Sequence, residues 1–375
     1  MLSQKDYLRY ARHLSLDEVG EKGQLKLKAA RVLLVGLGGL GCPVAQYLTA
    51  AGVGTLGLVE FDLVDFSNLQ RQVLHSEASV GSSKVDSAVS RLSQLNSDIK
   101  LVSHEVRLNS ENAQELVASY DIVVDGSDNF TTRYLLNDAC VLEDRPYVSA
   151  AIYKFEGQLA VFNYRGGPCY RCLYPVPPTG DLIPNCAQAG VLGVLPGIMG
   201  TLQAMETIKI ILGIGDVCSE HLLLYDALSA SFRKMKIKSK STCKLCGDNP
   251  EIKSIRSISN DQANPSQSFK IAEWDVDQLY AARQSGNSPV VLDVREDYEL
   301  QIASLSDVIH IPLNEISLRT AEIPKDQELI VMCRSGERSL KVCKQLLSLG
   351  FDRVYNLRGG ILDWSEKIDQ TIQKY

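Results

Sequence analysis

The sequence predicts an α/β fold: an open, parallel Rossmann-like sheet followed by a second, smaller α/β unit. Three observations predict it. The apolar run Val32 to Val35 breaks into Gly36-Leu37-Gly38-Gly39-Leu40-Gly41 and restarts as a helix. Short apolar strands then alternate with helical stretches along the chain. A Ser/Asn/Gln/Pro-rich stretch without apolar periodicity closes the first part, so the reading divides into domain 1–249, linker 250–268 and domain 269–375.

A chain of 375 residues suits two or three domains, and 45% hydrophobic content supplies ample core. A net charge of −6 and the lack of a basic arm argue against direct nucleic-acid binding. The first residues alternate charge with apolar side chains, unlike a signal peptide, and no apolar run reaches transmembrane length. The expectation is a cytoplasmic protein with no membrane partner. Ten cysteines, with two C-x-x-C pairs, suggest metal or redox chemistry rather than a disulfide framework.

Residues 3–30 read as helical and charged, and on residues alone Arg9, Arg12 and His13 read as a solvated helix face. Val32 to Val35 is a strand buried on both faces. Gly36, Gly38 and Gly41 form a G-x-G-x-x-G turn, and Pro43 falls in a helix's first turn, where a missing amide hydrogen is tolerated. Glycines let the backbone approach phosphates, and the helix N-terminus offers N–H donors. NAD, another nucleotide or a tight turn without ligand all fit the loop alone. Thr55 to Asp62 is a second strand ending in acids, Glu60 and Asp62, either of which stands where a ribose would be bound.

The segment Phe66 to Gln72 is polar where a dehydrogenase would proceed to an apolar element. Lys84 opens a helix to about Leu95, Ile99 to Leu108 alternate as a third strand, Glu111 to Ala118 are helical, and Asp121 to Asp128 is a fourth strand ending in a turn. Ligands gather at the carboxyl ends of parallel strands, so Asp62, Asn68, Arg71, Lys84 and Asp128 can converge on what the glycine loop holds. Each alone reads as a surface charge; together, basic residues with an acid suit a triphosphate with Mg²⁺, and so ATP.

Pro146 to Phe162 reads as strand, hairpin and strand. Cys169-Tyr-Arg-Cys172 and Cys243-Lys-Leu-Cys246 have the spacing of a tetrahedral, structural Zn²⁺ site with no open coordination position, weighed against redox dithiols. Between the pairs, Pro175 to Cys186 reads as a long loop, and Cys186 as a candidate nucleophile. Ala189 to Gly200 is glycine-rich, Thr201 to Leu212 reads as an apolar helix stopped by Gly213, and His221 to Asp226 and Phe232 to Ile237 read as strands.

In the second unit, Val290 to Arg295, Val308 to Pro312 and Glu328 onward read as strands, with a helix to about Leu349, a last strand Val354 to Leu357 and a glycine turn at Arg358-Gly-Gly360 into a terminal helix. Cys333 stands at a strand's end, entering a loop that starts a helix. Backbone N–H groups, the helix dipole, Arg334 and Arg338 are expected to stabilise a thiolate or persulfide there. The C-x4-R loop is one residue shorter than that of cysteine phosphatases, a cradle sized for sulfur rather than phosphate. Cys42, Cys140, Cys218 and Cys343 read as structural.

Arg9-Tyr-Ala-Arg12, Val35 to Gly41, Ser67 to Gln72, Asp125-Gly-Ser-Asp-Asn-Phe130 and the paired cysteines resemble the MoeB/ThiF group, relatives of ubiquitin-activating enzymes. Leu292 to Arg295, Cys333 to Ser339 and Arg358 to Gly360 resemble a rhodanese domain. The combination resembles the molybdopterin-synthase adenylyltransferase/sulfurtransferase fusions, MoeZ-like and Uba-type.

The resemblance implies an ATP site using Gly39 and Gly41 at the phosphates, Asp62 at the ribose, Asn68, Arg71 and Lys84 around the triphosphate, and Asp128 at Mg²⁺. It implies Arg12 as an arginine finger across a homodimer, Cys169, Cys172, Cys243 and Cys246 as zinc ligands, and Cys186 as a mobile-loop cysteine. The implied partner is a ubiquitin-like sulfur carrier ending in Gly-Gly, adenylated and then given sulfur from a Cys333 persulfide with Arg338 in its loop. The persulfide would be charged by thiosulfate or a cysteine desulfurase. Carriers of the molybdopterin, thiamine, cysteine and tRNA-thiolation pathways all fit, and the linker suits delivery by a swinging domain. The competing readings are an NAD-dependent oxidoreductase, against which Arg71, Lys84 and the zinc pairs stand, and a non-catalytic scaffold that binds carrier proteins.

Overall fold

The computed structural model describes residues 1–178, 190–255, 271–286 and 288–375, which divide into two compact units with the division between residues 263 and 264. Cys186 and most of the stretch read as a linker lie outside the described residues.

In the first unit the charged N-terminal stretch forms three helices, Gln4–Arg9 (α1), Ala11–Leu14 (α2) and Gly20–Ala29 (α3). Strand Arg31–Val35 (β1) runs through the glycine loop into Gly41–Ala51 (α4), which ends at Gly52 with a left-handed φ of 81°. There follow Thr55–Val59 (β2), Lys84–Leu95 (α5), Lys100–His104 (β3), Ala113–Ala118 (α6) and Ile122–Asp125 (β4). Phe130–Leu142 (α7), a helix the sequence reading passed over, leads to the hairpin Tyr147–Tyr153 (β5) and Glu156–Phe162 (β6). Tyr170–Leu173 (α8), Val194–Leu212 (α9), His221–Asp226 (β7) and Ser231–Lys236 (β8) complete the unit.

Its sheet has the order β3-β2-β1-β4-β5-β6-β7-β8, parallel from β3 to β5 and antiparallel from there on. Alternation along β1 sends Val32 and Leu34 into one apolar cluster with α4, α5 and α9, and Leu33 and Val35 into another with α6 and α7. The strand is therefore buried on both faces, as its unbroken apolar run predicts. Emptying one such position, as in Leu34→Ala, costs about 2–5 kcal/mol.

The apolar helix expected from Thr201 begins earlier: Val194 to Gly200, the end of the glycine-rich stretch, are the first two turns of α9, with Pro196 where the missing amide hydrogen is harmless. Gly200 lets α9 press on α4, since a Cβ there would run into the Leu40 carbonyl and the Pro43 ring.

The second unit is a parallel sheet of Ala272–Trp274 (β9), Val290–Asp293 (β10), Val308–His310 (β11), Leu329–Met332 (β12) and Val354–Leu357 (β13), in the order β11-β10-β12-β13-β9. Helices Val276–Gln284 (α10), Asp297–Ile302 (α11), Ile316–Arg319 (α12), Glu337–Ser348 (α13) and Gly360–Lys367 (α14) accompany it. Leu292 and Val331 fill one core, while Val291, Ile330 and Met332 fill the other. Among the described residues, no helix is long and apolar enough to cross a membrane.

Candidate active sites and metal centre

The carboxyl ends of β1, β2 and β4 open on a cavity of about 1240 Å³. Gly36, Gly38, Gly39, Asp62, Asn68, Arg71, Lys84 and Asp128 all line it, so side chains far apart in sequence meet where the parallel-sheet rule places them. Gly36 has a φ of 92°, open to glycine at little cost. Gly41 is not among the lining residues. It is the first residue of α4, and a Cβ there would run into the Gly36 carbonyl oxygen, so its smallness closes the loop onto the helix rather than facing a ligand.

The two acids of β2's end divide their work. Glu60 is buried and accepts the N–H groups of Leu37 (3.0 Å), Phe61 (2.9 Å) and Asp62 (3.1 Å), which fixes the glycine loop. Asp62 is half exposed in the cavity, with Lys84 Nζ 3.3 Å away, and keeps acceptor capacity for a ligand. His75, which sequence reasoning missed, donates from Nε2 to the Leu37 carbonyl at 3.2 Å and meets Ser87 Oγ from Nδ1 at 2.9 Å. Burial lowers its pKa, so it is neutral at pH 7 and acts as a brace. Arg71 bonds the Ser67 carbonyl at 3.2 Å, and Asn68 accepts from Gln72 at 2.7 Å, leaving both side chains anchored at the rim.

Asp128 sits exposed in a turn just beyond β4, held from below by a buried network. Asp125 accepts from Ser127 N (2.9 Å), Ser127 Oγ (2.6 Å), Tyr147 Oη (2.6 Å) and Arg133 Nε (3.4 Å). Burial is the largest influence on Arg133 and opposes its charge, but Asp125 together with Tyr147 and Tyr170 outweighs it and the net pKa is raised. Arg133 and Tyr147 carry no motif signal; only the buried position of Asp125 at a strand's end hinted that it would need partners. Arg12 is exposed on α2 and does not line the cavity of its own chain.

The four sulfurs of Cys169, Cys172, Cys243 and Cys246 lie within 4.8 Å of one another. Three separations are 3.9 Å (Cys169–Cys172), 3.6 Å (Cys169–Cys243) and 3.4 Å (Cys172–Cys246). Tetrahedral zinc with bonds of about 2.3 Å sets its sulfurs about 3.8 Å apart, so the donor set and its spacing fit the ion.

In the second unit Cys333 is fully buried at the end of β12. Its sulfur receives Gly336 N–H at 3.2 Å and lies 3.3 Å from Ser339 Oγ, ahead of and within the first turn of α13. Arg334 and Arg338, expected to stabilise a thiolate or persulfide here, are each engaged by other groups. Arg338 forms two hydrogen bonds of 2.6 Å to Glu299, and Arg334 turns to Tyr375, so neither guanidinium makes a direct bond to the thiol. A buried carboxylate demands a strong partner, and Glu299 takes Arg338 for that reason. The Arg338 charge still couples to Cys333 through space. Cys42 and Cys343 have thiols pushed by burial up to about 12, and burial also raises Cys140 and Cys218, which suits packing rather than reactivity.

The sequence pattern of the ThiF family matches residues 10–246, over the unit that carries the cavity and the four cysteines. The chain belongs to the ThiF family. Residues 275–367 match the rhodanese-like domain, so the unit carrying Cys333 is of that type. The adenylyltransferase and sulfurtransferase MOCS3 of Sus scrofa is 42% identical over 100% of this chain and 89% of its own length. The protein of the same name from Aedes aegypti is 42% identical over 100% of this chain and 90% of its own. Among solved structures, E. coli MccB superposes with a TM-score of 0.58 at 24% identity, over 66% of this chain and 76% of that one, a likeness of fold.

Proposed function

We propose that this chain, an adenylyltransferase and sulfurtransferase, activates the C-terminal glycine of a ubiquitin-like sulfur carrier with ATP and converts it to a thiocarboxylate. The observation that carries the reading is the meeting of Asp62, Asn68, Arg71, Lys84 and Asp128 on one cavity at the glycine loop, in a chain whose second unit holds Cys333 in a sulfur cradle. At about 1240 Å³ the cavity exceeds the roughly 300–1,000 Å³ common for small-ligand sites, which leaves room for a peptide end beside the nucleotide.

The glycine loop at Gly39 receives phosphates, Asp62 the ribose hydroxyls, and Asn68, Arg71 and Lys84 the triphosphate charge. Asp128 is the carboxylate suited to Mg²⁺, which when bound offsets charge on the phosphates. The carrier's carboxylate oxygen attacks the α-phosphorus, the bond to the β-phosphate breaks, and pyrophosphate leaves. Arg12, exposed and away from its own cavity, serves a partner subunit's site in a homodimer.

Cys333, charged as a persulfide by thiosulfate or a desulfurase, attacks the acyl carbon with its outer sulfur and AMP departs. A second thiol, Cys186, attacks the resulting acyl disulfide at the Cys333 sulfur, releasing the thiocarboxylate and leaving a Cys186–Cys333 disulfide for an external thiol to reduce. The four-cysteine cluster holds zinc and ties the turn at Cys243 to the segment at Cys169. Mass spectrometry of Gly-Gly-ended carriers after incubation with the chain, ATP, Mg²⁺ and thiosulfate tests the proposal. The expected product has one carrier oxygen replaced by sulfur; unmodified carriers in the presence of active pyrophosphate exchange would contradict the sulfur-transfer half.

A further inference from the structure

Tyr375 joins three arginines around the Cys333 loop. Its hydroxyl accepts from Arg295 Nη1 at 2.7 Å and donates to Glu299 Oε1 at 3.0 Å, and both oxygens of Glu299 hold Arg338. Arg295 is in turn fixed on Asp293 at 2.6 Å, both fully buried. The Arg334 guanidinium lies 5.4 Å from the centre of the Tyr375 ring, and its Nε donates to the Tyr375 main-chain oxygen. Arg295 and Arg338 are thus matched by carboxylates. Arg334, next to Cys333, is held by Nε and by the ring, and among the described residues its two Nη groups have no protein acceptor.

A guanidinium fixed through Nε presents its Nη edge as a fork, the geometry that reads an oxyanion. We propose that Tyr375 is a positioning residue for loading Cys333: it holds Arg334 so that the free Nη edge receives the sulfonate of a thiosulfate-type donor. The inference rests on the sulfurtransferase reading. The Cys333 thiolate attacks the outer sulfur of the donor, the S–S bond breaks, and sulfite leaves with the electron pair while Arg334 neutralises its oxygens. A donor without a sulfonate, such as a small-molecule hydropersulfide, does not need the fork.

The test is steady-state sulfur transfer to cyanide by the full chain, with thiosulfate and separately with a small hydropersulfide as donor, for wild type, Tyr375→Phe and Tyr375→Ala. Tyr375→Ala is expected to raise KM for thiosulfate about tenfold with kcat within about twofold, and to leave KM for the hydropersulfide unchanged. Tyr375→Phe, which keeps ring and main chain, should raise the thiosulfate KM about threefold. Unchanged thiosulfate KM in both variants, or an equal rise for both donors, would overturn the proposal. Should the wild type transfer no sulfur from either donor, the sulfurtransferase reading itself would fall, a result separable from an active wild type with indifferent variants.

Discussion

The Tyr147 hydroxyl donates to Asp125 at 2.6 Å beneath the turn that carries Asp128, and both side chains are fully buried. Burial, reinforced by the Asp125 charge, raises the Tyr147 pKa, so the phenol stays a donor across the working pH range. Tyr147→Phe removes one of the bonds on a buried carboxylate and should cost about 1–3 kcal/mol of stability. Loosening of the turn should also slow carrier-dependent ATP–pyrophosphate exchange about tenfold, while sulfur transfer from thiosulfate is unchanged. Denaturant melts and the two assays on one preparation check this; full exchange activity in a destabilised variant would show that the network braces the fold but not the site.

The sulfur cluster leads to a compositional prediction. Metal analysis of the purified chain should find one zinc per chain, and Cys243→Ser, which removes one of four ligands, should lose it and lower the melting temperature by at least about 5 °C. A metal-free wild type with an unchanged melt would contradict the zinc assignment.

Asp6 gives a pH dependence. The hydrogen bond from Lys28 Nζ at 2.7 Å, with that from Ser3 N at 2.8 Å, holds its carboxyl down at about 2. The folded value lies below the unfolded one of about 3.9, so the stability from the ionised group is fully present above about pH 5 and is lost as pH falls through the folded value. Asp6→Asn should therefore cost about 1–2 kcal/mol near neutral pH, and the gap from wild type should narrow steadily as pH falls towards about 2. A gap that stays constant with pH would show that the charge is not what matters.

The path from β1 through the glycine loop into α4 was legible because an unbroken apolar run, obligatory glycines and a first-turn proline all point the same way. The convergence of Asp62, Asn68, Arg71, Lys84 and Asp128 was legible as a possibility from the rule that ligands gather at the carboxyl ends of parallel strands. Helix α7 was not: Arg133, Asn137 and Asp138 are buried beside Tyr134, Leu135 and Leu136, so it has no polar face to set a period. The neighbours of Cys333 were half legible. Gly336 and Ser339 lie within six residues of Cys333 in the sequence, but Glu299 and Tyr375 come from distant segments, and only tertiary structure decides that they take Arg338 and Arg334.

The central claim is that one chain performs two separable chemistries, adenylation at the glycine loop and sulfur delivery from Cys333. The most direct measurement is carrier-dependent ATP–pyrophosphate exchange alongside thiosulfate sulfurtransferase activity in Cys333→Ala and Asp128→Ala. The account predicts exchange without sulfur transfer in Cys333→Ala, and sulfur transfer without exchange in Asp128→Ala. Loss of both activities in folded Cys333→Ala, or undiminished exchange in Asp128→Ala, would contradict it.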